Sequence, residues 1–183
     1  MSVMLNRPCD LYDYFRKNFG MPGKGKQSRA FEKAQRNFAD SLAAYSLVSF
    51  VLQIKDRHNA NLILDKEGHI IHIDFGFMLT DAPGKGLRFE TAPFKLTAEF
   101  MRILGGPDGA AFKRFRNNMV AGFQALNKHS AKIILLVQMV AQSQADLSCF
   151  NRGTKVAINE LRDRLCPGGT EKLTKINCEA YID

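Results

Sequence analysis

Residues 53–77 read Gln53-Ile54-Lys55-Asp56-Arg57-His58-Asn59-Ala60-Asn61-Leu62-Ile63-Leu64-Asp65-Lys66-Glu67-Gly68-His69-Ile70-Ile71-His72-Ile73-Asp74-Phe75-Gly76-Phe77. Two short aliphatic runs, 61–65 and 69–73, flank the turn-forming Lys66-Glu67-Gly68, which predicts an antiparallel hairpin. Upstream the period changes. Phe31, Ala34, Phe38, Leu42, Tyr45, Val48 and Leu52 recur every three or four residues, which predicts one core helix from Arg29 to Leu52, with Ser28 as a candidate cap. Before it, Leu11, Tyr14 and Phe15 suggest a short helix, and Gly20 to Lys26 reads as a loop. Downstream, from Phe75 to about Lys95, Pro83, Gly84, Gly86 and Pro93 leave no period at all. An irregular stretch of that length in a compact domain is expected to be functional.

The remainder reads as helical. A helix over Leu96–Leu104 stops at Gly105-Gly106. Phe112, Phe115, Met119 and Phe123 mark a second. Ile133–Val140 marks a third, apolar nearly all round and therefore expected at the centre of the core. Val156, Leu161 and Leu165 mark a fourth, stopped by Pro167-Gly168-Gly169. The segment from Thr170 carries no stop signal, so the chain reads as cut. The fold class expected is mainly α with a small β-hairpin.

The bulk numbers narrow the function less than the motifs do. The chain of 183 residues suits one domain or one lobe of a larger one. Its 45% hydrophobic content is enough for a core. No run of apolar residues is long enough to span a bilayer, and the first residues lack the apolar centre of a secretory signal. A formal charge of +8 favours anionic partners: nucleotide phosphates, nucleic acid or an anionic lipid surface. The cations Lys113, Arg114, Arg116, Lys128 and Lys132 read as a solvated helix face, with a membrane contact as the alternative. Cys9, Cys149, Cys166 and Cys178 are far apart in sequence, which argues against a structural zinc site and a disulfide framework and for a reducing, cytosolic compartment. Lys24 and Lys26 among glycines lack the trailing Lys-Ser or Lys-Thr of a phosphate loop.

Phosphoryl transfer needs positioning and charge neutralisation more than covalent chemistry. Mg²⁺ takes hard oxygen ligands, such as a carboxylate and an amide oxygen. Asn61 opens one predicted strand and Asp74 follows the other, so the hairpin would bring them together. Asp56 and His58 lie in the loop ahead of Asn61. Either could serve as the base for a hydroxyl; an imidazole is suited to that role at cytosolic pH, and we take His58 as the working assignment. His69, His72 and Asp74 lack a fourth ligand for zinc, and the two histidines read as structural positions of the hairpin.

Asp56-Arg57-His58-Asn59-Ala60-Asn61 followed by Asp74-Phe75-Gly76 resembles the phosphoinositide 3-kinase and 4-kinase superfamily. With Gln53-Ile54-Lys55, Gly68-His69-Ile70-Ile71-His72-Ile73, Phe89-Glu90-Thr91 and Pro93-Phe94-Lys95-Leu96-Thr97, the similarity is closest to the phosphatidylinositol 4-kinases of the type III beta class. The resemblance implies the C-lobe of a protein-kinase-like α+β catalytic domain, a single partial domain over 1–183 with no N-lobe. Its catalytic loop would be about 54–63, its activation loop about 74–98 and its C-terminal helices about 96–183. It implies ATP with Mg²⁺ or Mn²⁺. Asn61 and Asp74 would hold metal and phosphates, Ile63 and Ile73 would floor the adenine, and Asp56 and His58 would serve the inositol hydroxyl. Arg57 would support the loop, and Lys95, Arg88 and Lys85 would face the lipid headgroup. So sparse a basic loop suits unphosphorylated phosphatidylinositol, whose 4-hydroxyl would take the γ-phosphoryl of ATP to give phosphatidylinositol 4-phosphate. Ala60 departs from the glycine usual in the family. The implied partners are a phosphatidylinositol-bearing surface and the N-lobe, not nucleic acid, and the implied location is cytoplasmic, peripheral on Golgi-type membranes. The alternatives are a non-catalytic fragment or pseudokinase that binds a membrane or partner, and a related protein kinase.

Overall fold

The computed structural model describes residues 3–4, 10–20, 29–83, 92–169 and 173–182. Ser28, Lys24, Lys26, Cys9, Lys85, Arg88 and Phe89-Glu90-Thr91 lie outside them. In chain order the elements are β1 (Val3–Met4), α1 (Leu11–Phe19), α2 (Arg29–Leu52), β2 (Leu62–Leu64), β3 (Ile70–His72), α3 (Ala98–Ile103), α4 (Ala110–Lys128), α5 (Ser130–Ser143), α6 (Thr154–Leu165) and α7 (Lys175–Ile182). The architecture is mostly helical with an antiparallel hairpin. Leu62 pairs with His72, Ile63 with Ile71 and Leu64 with Ile70. The short β1 adds to the other edge of β2, Val3 opposite Leu64 and Met4 opposite Ile63. Two residues are too few for a periodic signal, and the sequence reading did not include this strand.

Two compact units divide the chain. The first comprises Met1–Tyr45, Arg57–Asp74 and Lys95–Asn118. Its core is aromatic: Phe15 meets Phe31 and Phe38 edge-on, each with ring centroids 5.8 Å apart, and Phe38 meets Phe100 at 5.4 Å. All four rings are buried, and each such ring contributes both apolar area and a favourable edge geometry. The helices enter that core with capped ends. Asp10 accepts the Tyr12 and Asp13 amides at the start of α1, and Thr97 accepts the Phe100 amide at the start of α3. The Thr97 cap explains why α3 begins at Ala98 and not at Leu96.

The hairpin is fastened to α2 through its turn. Asp65 Oδ1 accepts the Glu67 and His69 amides, a side-chain mimic of a backbone turn. Asn37 Nδ2 donates to the Glu67 carbonyl at 2.8 Å, and Ser41 Oγ accepts the Ile70 amide at 3.0 Å. Gly68 adopts φ 90°, and a Cβ there would lie 2.8 Å from the Ala34 Cβ and from the Ala34 carbonyl oxygen. A side chain at this position is therefore excluded twice, by backbone conformation and by the wall of α2.

The second unit comprises Ser46–Asp56, Phe75–Phe94 and Met119–Asp183. Val51, Ile134, Ile158, Leu161 and Leu165 form its core, and Leu79, Ala141, Phe150 and Ala157 form a neighbouring cluster. Asn127 is buried and bridges two segments, donating to the Leu165 carbonyl and accepting the Leu173 amide, both at 2.8 Å. The expectation that Ile133–Val140 is central is corrected here. Only one face of α5 is packed, through Ile134 and Ala141, while Leu135, Leu136, Met139 and Val140 are exposed, Leu136 by 63%. An apolar helix needs one packed face to fold against its unit; composition alone does not say that every face is covered.

Gly68→Ala is expected to lower the unfolding free energy by about 2–3 kcal/mol, the sum of left-handed strain and overpacking against Ala34. Urea titration followed by circular dichroism measures it; a loss below about 0.5 kcal/mol would contradict the close approach.

Candidate active site

The site is built on the hairpin ends of the first unit. Asn61 closes the short 3₁₀ turn Asn59–Asn61, its amide donating to the His58 carbonyl at 3.0 Å. Its own carbonyl accepts the Ile73 amide at 3.0 Å, extending the hairpin ladder by one rung. That rung sets Asn61 beside the residue that precedes Asp74. Asn61 is 7% exposed, whereas Asp74 faces solvent. Asp74 has φ 56° and Asp56, which ends a segment of the second unit, has φ 63°. Both aspartates occupy the left-handed region, sparse for residues with a side chain and enriched at functional turns. Ala60 is not among the positive-φ residues, so its methyl group causes no strain where a glycine is usual.

Arg57 ties the loop to the strand exit. Its side chain is buried, at 4% exposure, and the guanidinium donates to the carbonyls of Ile73, at 2.7 Å, and Asp74. The planar fork suits two acceptors that follow one another in the chain. Lys95 approaches the same loop from just ahead of α3. Its Nζ donates to the Arg57 carbonyl at 3.0 Å and to Asn59 Oδ1 at 2.6 Å. In the second unit the strand exit continues to be tied back: the Lys55 amide donates to the Phe77 carbonyl at 3.0 Å and the Leu79 amide to the Leu52 carbonyl at 2.7 Å.

Beneath the loop, His72 is buried and stacks on Tyr45, ring centroids 4.5 Å apart and planes within 14°. Its Nδ1 is buried without a partner among the described residues. Burial first, then the positive charges of Arg57 and Lys95, lower its pKa to about 4. The imidazole is therefore neutral at cytosolic pH and behaves as a flat, mostly apolar support. His69 takes a separate partner, its Nδ1 lying 2.8 Å from Asp65 Oδ2. The two histidines thus do different structural jobs within one hairpin. Among the described residues no group of three or more His, Cys, Asp or Glu side chains is placed to hold a metal ion.

The alternation of the hairpin gives it a second face. Leu62, Leu64, Ile70 and His72 are buried, and Ile63, Ile71 and Ile73 point the other way and are half-buried. Ile63 and Ile73, the residues expected to floor an adenine, share this face with Ile71, which lies opposite Ile63. Parity with Ile73 was the signal that could have found Ile71. The spacing placed Tyr45 on the core face of α2 without pairing it with His72, and it gave Asn59 no role of its own. His58 is exposed and Asp56 is half-buried. An oxygen pair from Asn61 and Asp74 fits Mg²⁺ or Mn²⁺, which bind through one or two side-chain oxygens together with substrate phosphates and water.

The sequence of the chain is similar to those of known proteins. A family model described as phosphatidylinositol 3- and 4-kinase matches residues 1–149. The chain is 47% identical over 148 residues, 81% of its length, to phosphatidylinositol 4-kinase PIK1a of Candida albicans, of which it covers 15%. It is 42% identical over 173 residues, 94% of its length, to phosphatidylinositol 4-kinase beta of Danio rerio, covering 20% of it. Against phosphatidylinositol 4-kinase beta of Sorex araneus the identity is 42% over 182 residues, 100% of the chain and 22% of the relative. The chain therefore spans about a fifth of the length of these relatives.

The lowered pKa of His72 has a consequence for folding. In the unfolded chain an imidazole titrates near 6.5. Between about pH 6.5 and 4 the unfolded state binds a proton that the folded state refuses, so stability falls as pH falls and the loss levels off below about 4. His72→Phe, which keeps a ring on Tyr45, is expected to remove about 2 kcal/mol of that acid-dependent loss. Denaturant titrations at pH 7 and 4.5 check it; equal pH dependence in both proteins would contradict a neutral, buried His72.

Proposed function

Because the chain belongs to the phosphatidylinositol 3- and 4-kinase family, we propose that it forms the C-lobe of an ATP-dependent lipid kinase that phosphorylates the 4-hydroxyl of phosphatidylinositol. The observation that carries the proposal is the rung between Asn61 and Ile73, which sets an amide and a carboxylate, Asn61 and Asp74, at adjacent ends of one hairpin. In this reading residues 54–63 are the catalytic loop, 74–98 the activation loop and 96–183 the C-terminal helices. The relatives' names, phosphatidylinositol 4-kinase, support the substrate class.

The roles follow from the donor chemistry. Asn61 and Asp74 offer oxygens to Mg²⁺ or Mn²⁺, and the metal, when bound, offsets charge on the nucleotide phosphates. Ile63, Ile71 and Ile73 present a half-buried apolar face to adenine. Arg57 orders the loop through the carbonyls on either side of the Ile73–Asp74 peptide. Asp56 or His58 accepts the proton of the attacking inositol hydroxyl, and the exposure of His58 supports its reach to a lipid at a surface. Lys85 and Arg88 remain candidates for the headgroup. No helix among the described residues is long and apolar enough to cross a membrane. We place the enzyme on the cytoplasmic face of Golgi-type membranes, held at the surface by its substrate.

The native gene product carrying these residues, incubated with radiolabelled ATP and phosphatidylinositol vesicles, is expected to label the inositol ring at position 4. Label at position 3, or label on protein with none on lipid, would reject the substrate assignment. His58→Gln is expected to lower kcat about a hundredfold, as loss of a general base does, and Asp56→Asn less. Near-normal turnover of His58→Gln with loss in Asp56→Asn would move the base to Asp56.

A further inference from the structure

We propose that Lys95 is a positioning residue of the catalytic loop, in place of a reader of the lipid headgroup. Both acceptors of its ammonium that bear on this lie in the loop: the carbonyl of Arg57 and the side-chain oxygen of Asn59. They are neutral oxygens of the protein, held at 3.0 and 2.6 Å, and charge-assisted bonds of this length are among the stronger ones a side chain makes. Lys95 is half-buried, so water competes less for its protons than at an open surface.

The connectivity gives these two bonds their consequence. Arg57 is gripped from both ends. Its backbone carbonyl receives Lys95, and its guanidinium gives to the carbonyls of Ile73 and Asp74. Asn59 opens the 3₁₀ turn that Asn61 closes. One ammonium therefore bears on both members of the proposed metal pair, on Asp74 through Arg57 and on Asn61 through Asn59. The Asn59 carbonyl also receives the Leu62 amide, so a displaced Asn59 would loosen the point where the turn enters β2. Lys at this position fixes two acceptors with a compact charge and rotatable donors; the broad fork of Arg has a different reach and does not substitute freely. The catalytic half of this inference rests on the kinase reading, and the structural half does not.

Amide hydrogen exchange on the 183-residue protein tests the structural half. The amides of Asn61 and Leu62 are expected to exchange about tenfold faster in Lys95→Met and in Asn59→Ala, with no further gain in the double variant and with the α4 amides unchanged. Rates within about twofold of wild type at both amides in either variant, or additive gains in the double variant, would overturn the proposal. Asn59→Ala leaves the cation in place and so keeps the test valid if Lys95→Met does not fold. In the native gene product, Lys95→Met is expected to lower kcat about tenfold with KM for phosphatidylinositol within about twofold of wild type. Partial rescue by neither Arg nor Gln is expected. A raised lipid KM with unchanged kcat would return Lys95 to the headgroup. If wild type phosphorylates no lipid, the kinase reading fails and the exchange rates still decide the positioning.

Discussion

The buried guanidinium of Arg57 is the constraint on which the site depends. Two carbonyls at a strand exit, those of Ile73 and Asp74, have left the hairpin ladder and need donors. Arg57 supplies both at once from a side chain that is almost wholly buried. A charge in that position is tolerated because it is hydrogen-bonded, and removing it would leave two carbonyls unsatisfied. The same bonds bear on where the chain turns into Asp74, which sits in the left-handed region.

The rest of the first unit serves to make that arrangement rigid. The Phe15, Phe31, Phe38 and Phe100 cluster sets α2 and α3. Ser41, Asn37 and the close approach of Ala34 to Gly68 hold the hairpin against α2. Tyr45, further along the same helix, supports His72 from below. His72 stays neutral because it is buried and feels the positive charges of Arg57 and Lys95, so this face of the hairpin adds no charge from its imidazole. Asp74 brings a carboxylate to the hairpin end, which suits the proposed metal and phosphate site.

The sequence was most legible where one period ran unbroken. The spacing from Phe31 to Leu52 placed α2 with its observed bounds, and the aliphatic runs around Lys66-Glu67-Gly68 placed the hairpin. The proximity of Asn61 and Asp74 followed from that hairpin alone. What was not legible depended on tertiary contact. The apolar sequence of α5 could not reveal that Leu135, Leu136, Met139 and Val140 are exposed among the described residues. The two-residue β1 is too short to have a period. The resemblance offered Lys95 for the lipid headgroup; its bonds to the Arg57 carbonyl and to Asn59 were not legible, because a sequence shows charge and not the carbonyl it meets. Tyr45 read as a core-face residue of α2, but its stacking on His72, like the bond from Lys95 to Asn59, comes from a partner distant in the chain. Family likeness pointed to Asp56, Arg57 and His58, and the structure adds that the Arg57 guanidinium is bonded to the carbonyls of Ile73 and Asp74.

In the proposed function, Asn61 and Asp74 together form the metal and phosphate end of a kinase site. The most direct test is electron paramagnetic resonance of Mn²⁺ added with ATP to the native gene product, compared with its Asp74→Asn and Asn61→Ala variants at equal folded fraction. The expected result is nucleotide-dependent Mn²⁺ binding in wild type that weakens at least about tenfold in each variant, as loss of a coordinating oxygen does. Binding of unchanged strength in both variants would contradict the account.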